Sequence, residues 1–122
     1  MLKAVNQLAV NQVDEHEKRQ SLTFGADPGA VSEIRKELRK QVHKLHGPTR
    51  IKQELRQKGL DSLLIEQALE DLDVDWFEIC LQAKEKKFSD SLPDDAKEKA
   101  KMIRYLQYRG HSMSIIMDIL SP

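Results

Sequence analysis

The chain has 122 residues, no formal net charge at pH 7 and a charged fraction of 33%, which allows a modest core or a short helical array but excludes two large domains. Aromatic residues make up only 5% and no segment alternates apolar and polar residues, so we expect an all-α protein. No stretch approaches the roughly 20 apolar residues that span a bilayer, no signal-peptide block opens the chain, and its single cysteine cannot form an internal disulfide, so we expect a cytoplasmic protein.

The first 46 residues are predicted to form a divergent helical region, in which residues 2–22 have the pattern of a weakly amphipathic helix. Its apolar side consists of Val5, Leu8, Ala9 and Val13. Residues 21–29 form a break, within which Asp27 and Pro28 are typical of a helix cap and a first turn. The helix that they open extends to about Leu45, and its inner face consists of Val31, Ile34, Leu38, Val42 and Leu45.

Two helices are predicted next. Gly47 and Pro48 end the preceding helix and begin a second one, which turns Ile51 and Leu55 inward. A third helix covers residues 61–70, and the aspartate at its start is expected to cap it. These two short helices, the longer helix that follows them and the two helices after it favour three-helix units.

The rest of the chain is predicted to contain three more helices. Asp73 caps a helix from Val74 to about Lys87, whose core residues are Trp76, Phe77, Ile79, Cys80 and Ala83. Residues 88–93 form a loop, and helices follow from about Pro93 to Arg109 and over residues 112–120. We therefore divide the chain into a divergent N-terminal region, a three-helix repeat and a last incomplete repeat, at residues 1–46, 47–92 and 93–122.

Two segments repeat one pattern 51 residues apart, because residues 50–61 align with residues 101–112. Each segment is a helix that ends at a glycine and is followed by a capping residue, Asp61 or Ser112, and a second apolar stretch. Gly59 and Gly110 follow basic helix ends, so we expect both to adopt the left-handed conformation that terminates a helix. A fixed period of this length predicts one helical unit in tandem copies, arranged as a short, elongated array.

The charges are segregated along the chain although they cancel in total. Residues 33–58 contain nine basic and three acidic side chains, residues 61–78 contain seven acidic and no Lys or Arg, and residues 84–109 contain eight basic and five acidic ones. Segregation of this kind favours a polyanionic or charge-patterned partner. Surface helices that are simply rich in both signs are the alternative.

Candidate contact residues concentrate on the penultimate predicted helix. Lys97, Lys101, Arg104 and Tyr108 recur at steps of four, three and four, which places three cations and an aromatic ring on one helix face. Further candidates are Lys84, Lys86 and Lys87 at the end of the preceding helix, and Arg35, Arg39, Arg50 and Arg56 in the earlier basic block. Such faces bind phosphates without reading a base sequence, although an ordinary solvated helix face has the same composition.

Sites for metals and for catalysis are not predicted. Asp71-x-Asp73-x-Asp75 resembles the start of a calcium loop, but the glycine and the glutamate required at the sixth and twelfth positions of that loop are absent. His43 and His46 lack a third ligand at metal-binding spacing. The cysteine lies between isoleucine and leucine, which favours burial over nucleophilic catalysis, and no glycine-rich phosphate loop is present. We expect no enzymatic activity, no metal and no cofactor.

Four motifs follow one another in a specific order between Lys44 and Leu120. They are Gly47-Pro48-x-Arg50-Ile51-x-x-Glu54-Leu55-x-x-Lys58-Gly59, Asp75-Trp76, Lys86-Lys87-Phe88 and Lys101-x-x-Arg104-Tyr105-Leu106-x-x-Arg109-Gly110. In order and spacing they resemble the RecX family of bacterial recombinase regulators.

That resemblance implies tandem three-helix repeats, no enzymatic activity, and a role in DNA recombination, DNA repair and the SOS response. It also implies that the chain, as a monomer, binds the RecA recombinase filament on single-stranded DNA. Members of the family are understood to lodge in the groove of that filament and to restrain its growth, ATP hydrolysis and strand exchange. A helical protein that binds nucleic acid without any recombinase is the alternative.

The front of the chain departs from the family pattern. Lys18 stands where an apolar residue is usual, and residues 24–27 replace a longer segment that completes the first repeat. His46 and His111 stand where the family usually has aromatic residues. The resemblance therefore implies a shortened or divergent member with a worn first repeat.

Overall fold

The structure, a computed structural model, describes residues 27–121, and within that range it contains six α-helices and no strand. The helices are α1 Pro28–His43, α2 Pro48–Gln57, α3 Ser62–Leu72, α4 Trp76–Phe88, α5 Ala96–Tyr108 and α6 Met113–Leu120. The predicted all-α fold is confirmed. The helix predicted over residues 2–22 and the motifs assigned to a worn first repeat lie outside the described residues. None of the described helices combines the length and the apolar character needed to cross a membrane.

Side-chain caps explain where most of these helices begin. An oxygen of the residue before the helix accepts a hydrogen bond from a backbone amide of the first turn, at 2.8–3.3 Å. The capping residues are Asp27, Asp61, Asp75, Asp95 and Ser112. The prediction that Asp73 caps the fourth helix is wrong, since Asp73 terminates α3 in the left-handed conformation, with a φ of 52°, and Asp75 is the cap.

The helices pack as two three-helix units, each around its own core. Helix α1 packs against α2 and α3, and α4 packs against α5 and α6. The core of the first unit consists of Ile34, Leu38, Ile51, Leu55, Ile65, Ala68 and Leu69. The core of the second unit consists of Cys80, Ala83, Met102, Leu106, Ile116, Ile119 and Leu120.

This grouping of helices differs from the predicted boundaries at residues 47 and 92. Ile34 places α1 in the core of the first unit, and Cys80 places α4 in the core of the second. The 51-residue repeat in the sequence covers only the second and third helix of each unit. The first helix of each unit, α1 or α4, lies outside that pattern. The sequence therefore did not indicate whether the unit boundary lies before or after this helix.

Helix α4 buries only some of the residues predicted for its core. Trp76 is half-buried against the core of the first unit, and Phe77 is 44% exposed. Cys80 and Ala83 are the apolar residues that α4 buries, as predicted, while Ile79 is half-buried. Both aromatic residues lie in the first turn of α4, so they lie at the boundary between the units and not within the second core.

Candidate functional site

Two glycine corners turn the chain between the second and third helix of each unit. Gly59 has a φ of 85° and Gly110 a φ of 97°, which confirms the left-handed conformation predicted for both. Their surroundings differ, however. A Cβ atom added at Gly59 would meet nothing within 4 Å, whereas one at Gly110 would overlap the backbone and the Cβ of Arg50. The Gly110 corner is therefore where the two units meet.

The start of α2 is held by the other unit. Helix α2 has no side-chain cap. Instead, the Gly47 amide donates to the Arg109 carbonyl at 2.8 Å, and the Thr49 amide donates to the Gly110 carbonyl at 3.2 Å. The carbonyl groups of the second unit thus satisfy amides that a helix start leaves without partners. Only glycine fits at residue 47, because a Cβ atom there would overlap the Gly110 carbonyl.

The chain just before α2 is also fastened to the second unit. The Arg109 guanidinium donates to the Lys44 carbonyl, and Nε2 of the buried His111 lies 3.0 Å from the Leu45 carbonyl, to which it donates. Leu45 adopts a left-handed conformation with a φ of 65°, and its side chain packs against the core of the second unit. We call the contact between residues 44–50 and residues 108–111 the unit junction.

A polar network on the first unit links two residues of the unit junction, His46 and Arg50, to Gln41 and Glu54. Gln41 Nε2 donates to Glu54 Oε1 at 2.6 Å, so the Gln41 oxygen is the acceptor for Nδ1 of the buried His46. Arg50 Nε donates to the other Glu54 oxygen at 2.8 Å, and this bond lowers the pKa of Glu54. Burial, followed by the charges of Arg50 and Arg109, lowers the pKa of His46 to about 4, so this ring is neutral at pH 7.

An exposed tyrosine lies at the edge of the unit junction. Tyr108 is 72% exposed, and the guanidinium carbon of Arg50 lies 4.9 Å from the centroid of its ring. Nη1 of the same arginine lies 3.5 Å from the Tyr108 carbonyl oxygen. Arg50, which the sequence suggested as a partner contact, therefore joins α2 to α5 as well as pairing with Glu54.

The predicted basic face of α5 is exposed. Lys97, Lys101 and Arg104 lie on the side of α5 opposite the buried Met102 and Leu106. Among residues 27–121, no acidic side chain forms an ion pair with any of these three cations. We call these cations together with Tyr108 the α5 face.

The lysines at the end of α4 have separate roles. Lys86 and Lys87 are exposed, and Lys87 Nζ lies 5.5 Å from the centroid of the Tyr105 ring. Lys84 is only 2% exposed, and its Nζ donates to the Ser91 carbonyl at 2.6 Å. The prediction that Lys84 presents its charge to a partner is wrong, because the loop after α4 folds back over this lysine.

The earlier basic block is partly neutralised. Lys58 pairs with Glu37 at 2.8 Å, and Lys52 pairs with Glu66 at 3.1 Å. Arg56 is exposed on α2.

Arg35 and Arg39 are exposed on α1, where they line a groove of about 270 Å³ between α1 and α3. Asp71 of α3 lines the same groove, so the cations here face an acidic side chain. The structure thus separates the candidate residues into the α5 face, the end of α4 and this weaker positive surface on the first unit.

Sequence reasoning missed the unit junction. Its contacts join residues that are 58 to 66 positions apart, and no local pattern reports such a pairing. The available signals were the two histidines at positions 46 and 111, both of which are buried. Gly47 was interpreted only as part of the break between two helices, although the absence of a side chain there is what allows the Gly110 carbonyl to approach.

Both three-helix units match models of one protein family. The model for the second three-helix domain of RecX matches residues 38–69, and the model for the third three-helix domain matches residues 73–120. The first match lies within the span of α1 to α3, and the second covers α4 to α6.

Proteins that are named regulatory protein RecX are similar to this chain over 61–95% of its length. The regulatory protein RecX of Acinetobacter baylyi is 43% identical over 119 residues, which cover 95% of this chain and 74% of the relative. That of Vibrio campbellii is 38% identical over 117 residues, covering 93% and 76% respectively. That of Serratia proteamaculans is 49% identical over 74 residues, covering 61% of this chain and 44% of the relative. The first two similarities extend beyond the segment from Lys44 to Leu120 that carries the motifs.

Proposed function

This chain belongs to the RecX family, and we propose that it is a non-enzymatic regulator that binds a RecA-type recombinase filament on single-stranded DNA. Bound there, it restrains filament growth, ATP hydrolysis and strand exchange. The observation that carries the proposal is the pair of three-helix domains, each matched by a RecX model and supported by relatives that are named regulatory proteins.

We propose the α5 face as the surface that meets the filament. Its three cations have no acidic partner among the described residues, whereas Lys52, Lys58 and Arg50 of the earlier block are paired. A cation that is already paired contributes less to the binding of a new anion. A filament on DNA presents phosphates and acidic protein surface, to which an unpaired cationic face is complementary.

The unit junction supports this role because it keeps the α5 face in a fixed position relative to the first unit. Backbone bonds from Gly47 and Thr49 and the Arg50 contact on Tyr108 join α2 to the end of α5. A partner that contacts both units then binds a preorganised surface, and less conformational entropy is lost on binding.

Charge reversal on the α5 face tests this proposal. We expect the triple variant Lys97→Glu, Lys101→Glu and Arg104→Glu to lose inhibition of recombinase ATP hydrolysis, by about tenfold or more in the concentration required. The cations are exposed, so we expect the free energy of unfolding to change by about 0.5 kcal/mol or less per site. Circular dichroism and thermal melting check that the variant remains folded.

A matched triple variant controls for the change in net charge. Arg35→Glu, Arg39→Glu and Arg56→Glu reverses three exposed cations of the first unit, and we expect it to inhibit nearly as well as the unmodified chain. Full inhibition by the folded α5 variant, combined with loss of inhibition in the first-unit variant, would move the contact to the first unit.

A second candidate function is that of a helical protein that binds nucleic acid without a recombinase. The exposure of Tyr108 beside three cations favours it, since aromatic rings next to basic side chains are common on surfaces that bind single strands. This alternative requires equal binding to bare DNA whether or not a recombinase is present.

A further inference from the structure

Tyr108 is a large aromatic residue that lies at the surface and does not pack into either core. Its side chain is 72% exposed at the end of α5, yet an arginine lies on its ring. Tyr105, one helical turn earlier, provides the contrast, because it is half-buried and its ring packs against that of Phe88 in a T-shaped arrangement, with the ring centroids 5.4 Å apart. The same helix therefore contains one tyrosine used for packing and one left at the surface.

The Arg50 side chain contacts this exposed ring. Its guanidinium lies 4.9 Å from the ring centroid and is fixed by Glu54 at 2.8 Å, and Gln41 fixes that carboxylate in turn at 2.6 Å. The guanidinium lies over one face of the Tyr108 ring. Because Tyr108 is 72% exposed, we infer that the other face is open to solvent. An aromatic ring that already contacts a neighbouring side chain on one face loses less conformational freedom when a planar group stacks on its other face.

The cations of the α5 face continue from this ring along the helix. Arg104, Lys101 and Lys97 lie four, seven and eleven residues before Tyr108, so the face extends for about 16 Å at the helical rise of 1.5 Å per residue. A polyanionic strand that follows these cations would reach the open face of the tyrosine ring. An unpaired nucleic-acid strand carries phosphates together with bases whose planar faces are accessible. In a duplex, stacking on neighbouring base pairs covers those faces.

We propose that Tyr108 is a stacking platform for one unpaired nucleobase and that Lys97, Lys101 and Arg104 bind the phosphates of the same strand. This deepens the proposed function, on which it rests for biological context, because it assigns the α5 face to the DNA strand and not to the recombinase. The binding needs no base identity, since every base offers an aromatic face.

The test compares two strands of equal charge with the full chain and no recombinase. Fluorescence anisotropy measures the binding of labelled oligothymidine and of an abasic strand with the same number of phosphates, at low and at raised salt. We expect the unmodified chain to bind oligothymidine about tenfold more tightly than the abasic strand. We expect Tyr108→Ala to remove that difference while the affinity for the abasic strand stays the same.

Three further variants separate stacking from charge and from misfolding. Tyr108→Trp keeps an aromatic face and should keep the preference for the strand with bases. Phe77→Ala removes another exposed aromatic ring, on α4, and should leave both affinities unchanged. The double variant Lys101→Glu and Arg104→Glu should lower the affinity for both strands equally and reduce the dependence of binding on salt.

Equal affinity of the unmodified chain for the two strands would overturn the inference, as would an equal loss for both strands in folded Tyr108→Ala. Absence of binding to either strand at low salt would also overturn it and assign the α5 face to a protein partner. That result leaves the proposed function standing, because inhibition of the recombinase is measured separately.

Discussion

Two glycines with the same backbone conformation have different consequences for stability. Gly59→Ala brings only the strain of a left-handed residue, so we expect a loss of about 1 kcal/mol in the free energy of unfolding. Gly110→Ala adds an overlap with Arg50 of the other unit, so we expect a loss of about 2–4 kcal/mol. Chemical denaturation of both variants measures the two losses. Similar losses for both would contradict the close approach of the units at Gly110.

Single residues were predictable where the cause is local. Asp27, Asp61 and Ser112 each precede an apolar helical stretch, and each caps the helix as predicted. The prediction for Asp73 was wrong because Asp71, Asp73 and Asp75 are spaced two residues apart, and the sequence alone does not show which of them caps the helix. The burial of Lys84 depends on the Ser91 carbonyl in a loop whose path the sequence does not specify.

At the scale of elements, the start of α2 distinguishes the unit junction from the other helix ends. Helix α2 begins without a side-chain cap and draws its acceptors from the corner between α5 and α6. Sequence reasoning predicted the helices and the glycine corners, because capping and periodicity are short-range. It did not predict that one corner fits into the other unit, since that contact depends on the packing of both cores.

The buried histidines make the stability of the unit junction depend on pH. The pKa of His46 is lowered to about 4 by burial and by the charges of Arg50 and Arg109, and burial lowers the pKa of His111 in the same direction. Between pH 6.5 and 4 the unfolded chain binds a proton at His46 that the folded chain does not, so the free energy of unfolding falls as pH falls. From His46 alone we expect a loss of about 2 kcal/mol between pH 7 and pH 5.

Thermal or chemical denaturation across that pH range measures the effect. His46→Gln should reduce the dependence to the part that His111 contributes, and the exposed His43→Gln is the control substitution. The carboxylate of Glu54, whose pKa is lowered, loses its contribution below about pH 4.5 and so lies outside this window. An unmodified chain whose stability is the same at pH 7 and pH 5 would contradict the buried, neutral state of His46.

At the scale of the whole molecule, the described residues form two three-helix units joined at one corner. The sequence predicted the type of repeat from its 51-residue period, and the family matches bear out the three-helix domains. It did not predict the boundaries, because the first helix of each unit has no repeated pattern of its own. The basic surface was predictable as a helix face, but which cations are already paired depends on contacts such as Lys58 with Glu37.

We have proposed that this RecX family member acts on a recombinase filament. The most direct measurement is binding of the fluorescently labelled chain to short single-stranded DNA, with and without a RecA-type recombinase and ATP, at two salt concentrations. We predict much tighter binding when the filament is present, with a preference that persists at the higher salt, because direct phosphate contacts alone weaken steeply as salt rises. Equal binding to bare and filament-coated DNA would contradict the account and support a nucleic-acid-binding protein that acts alone.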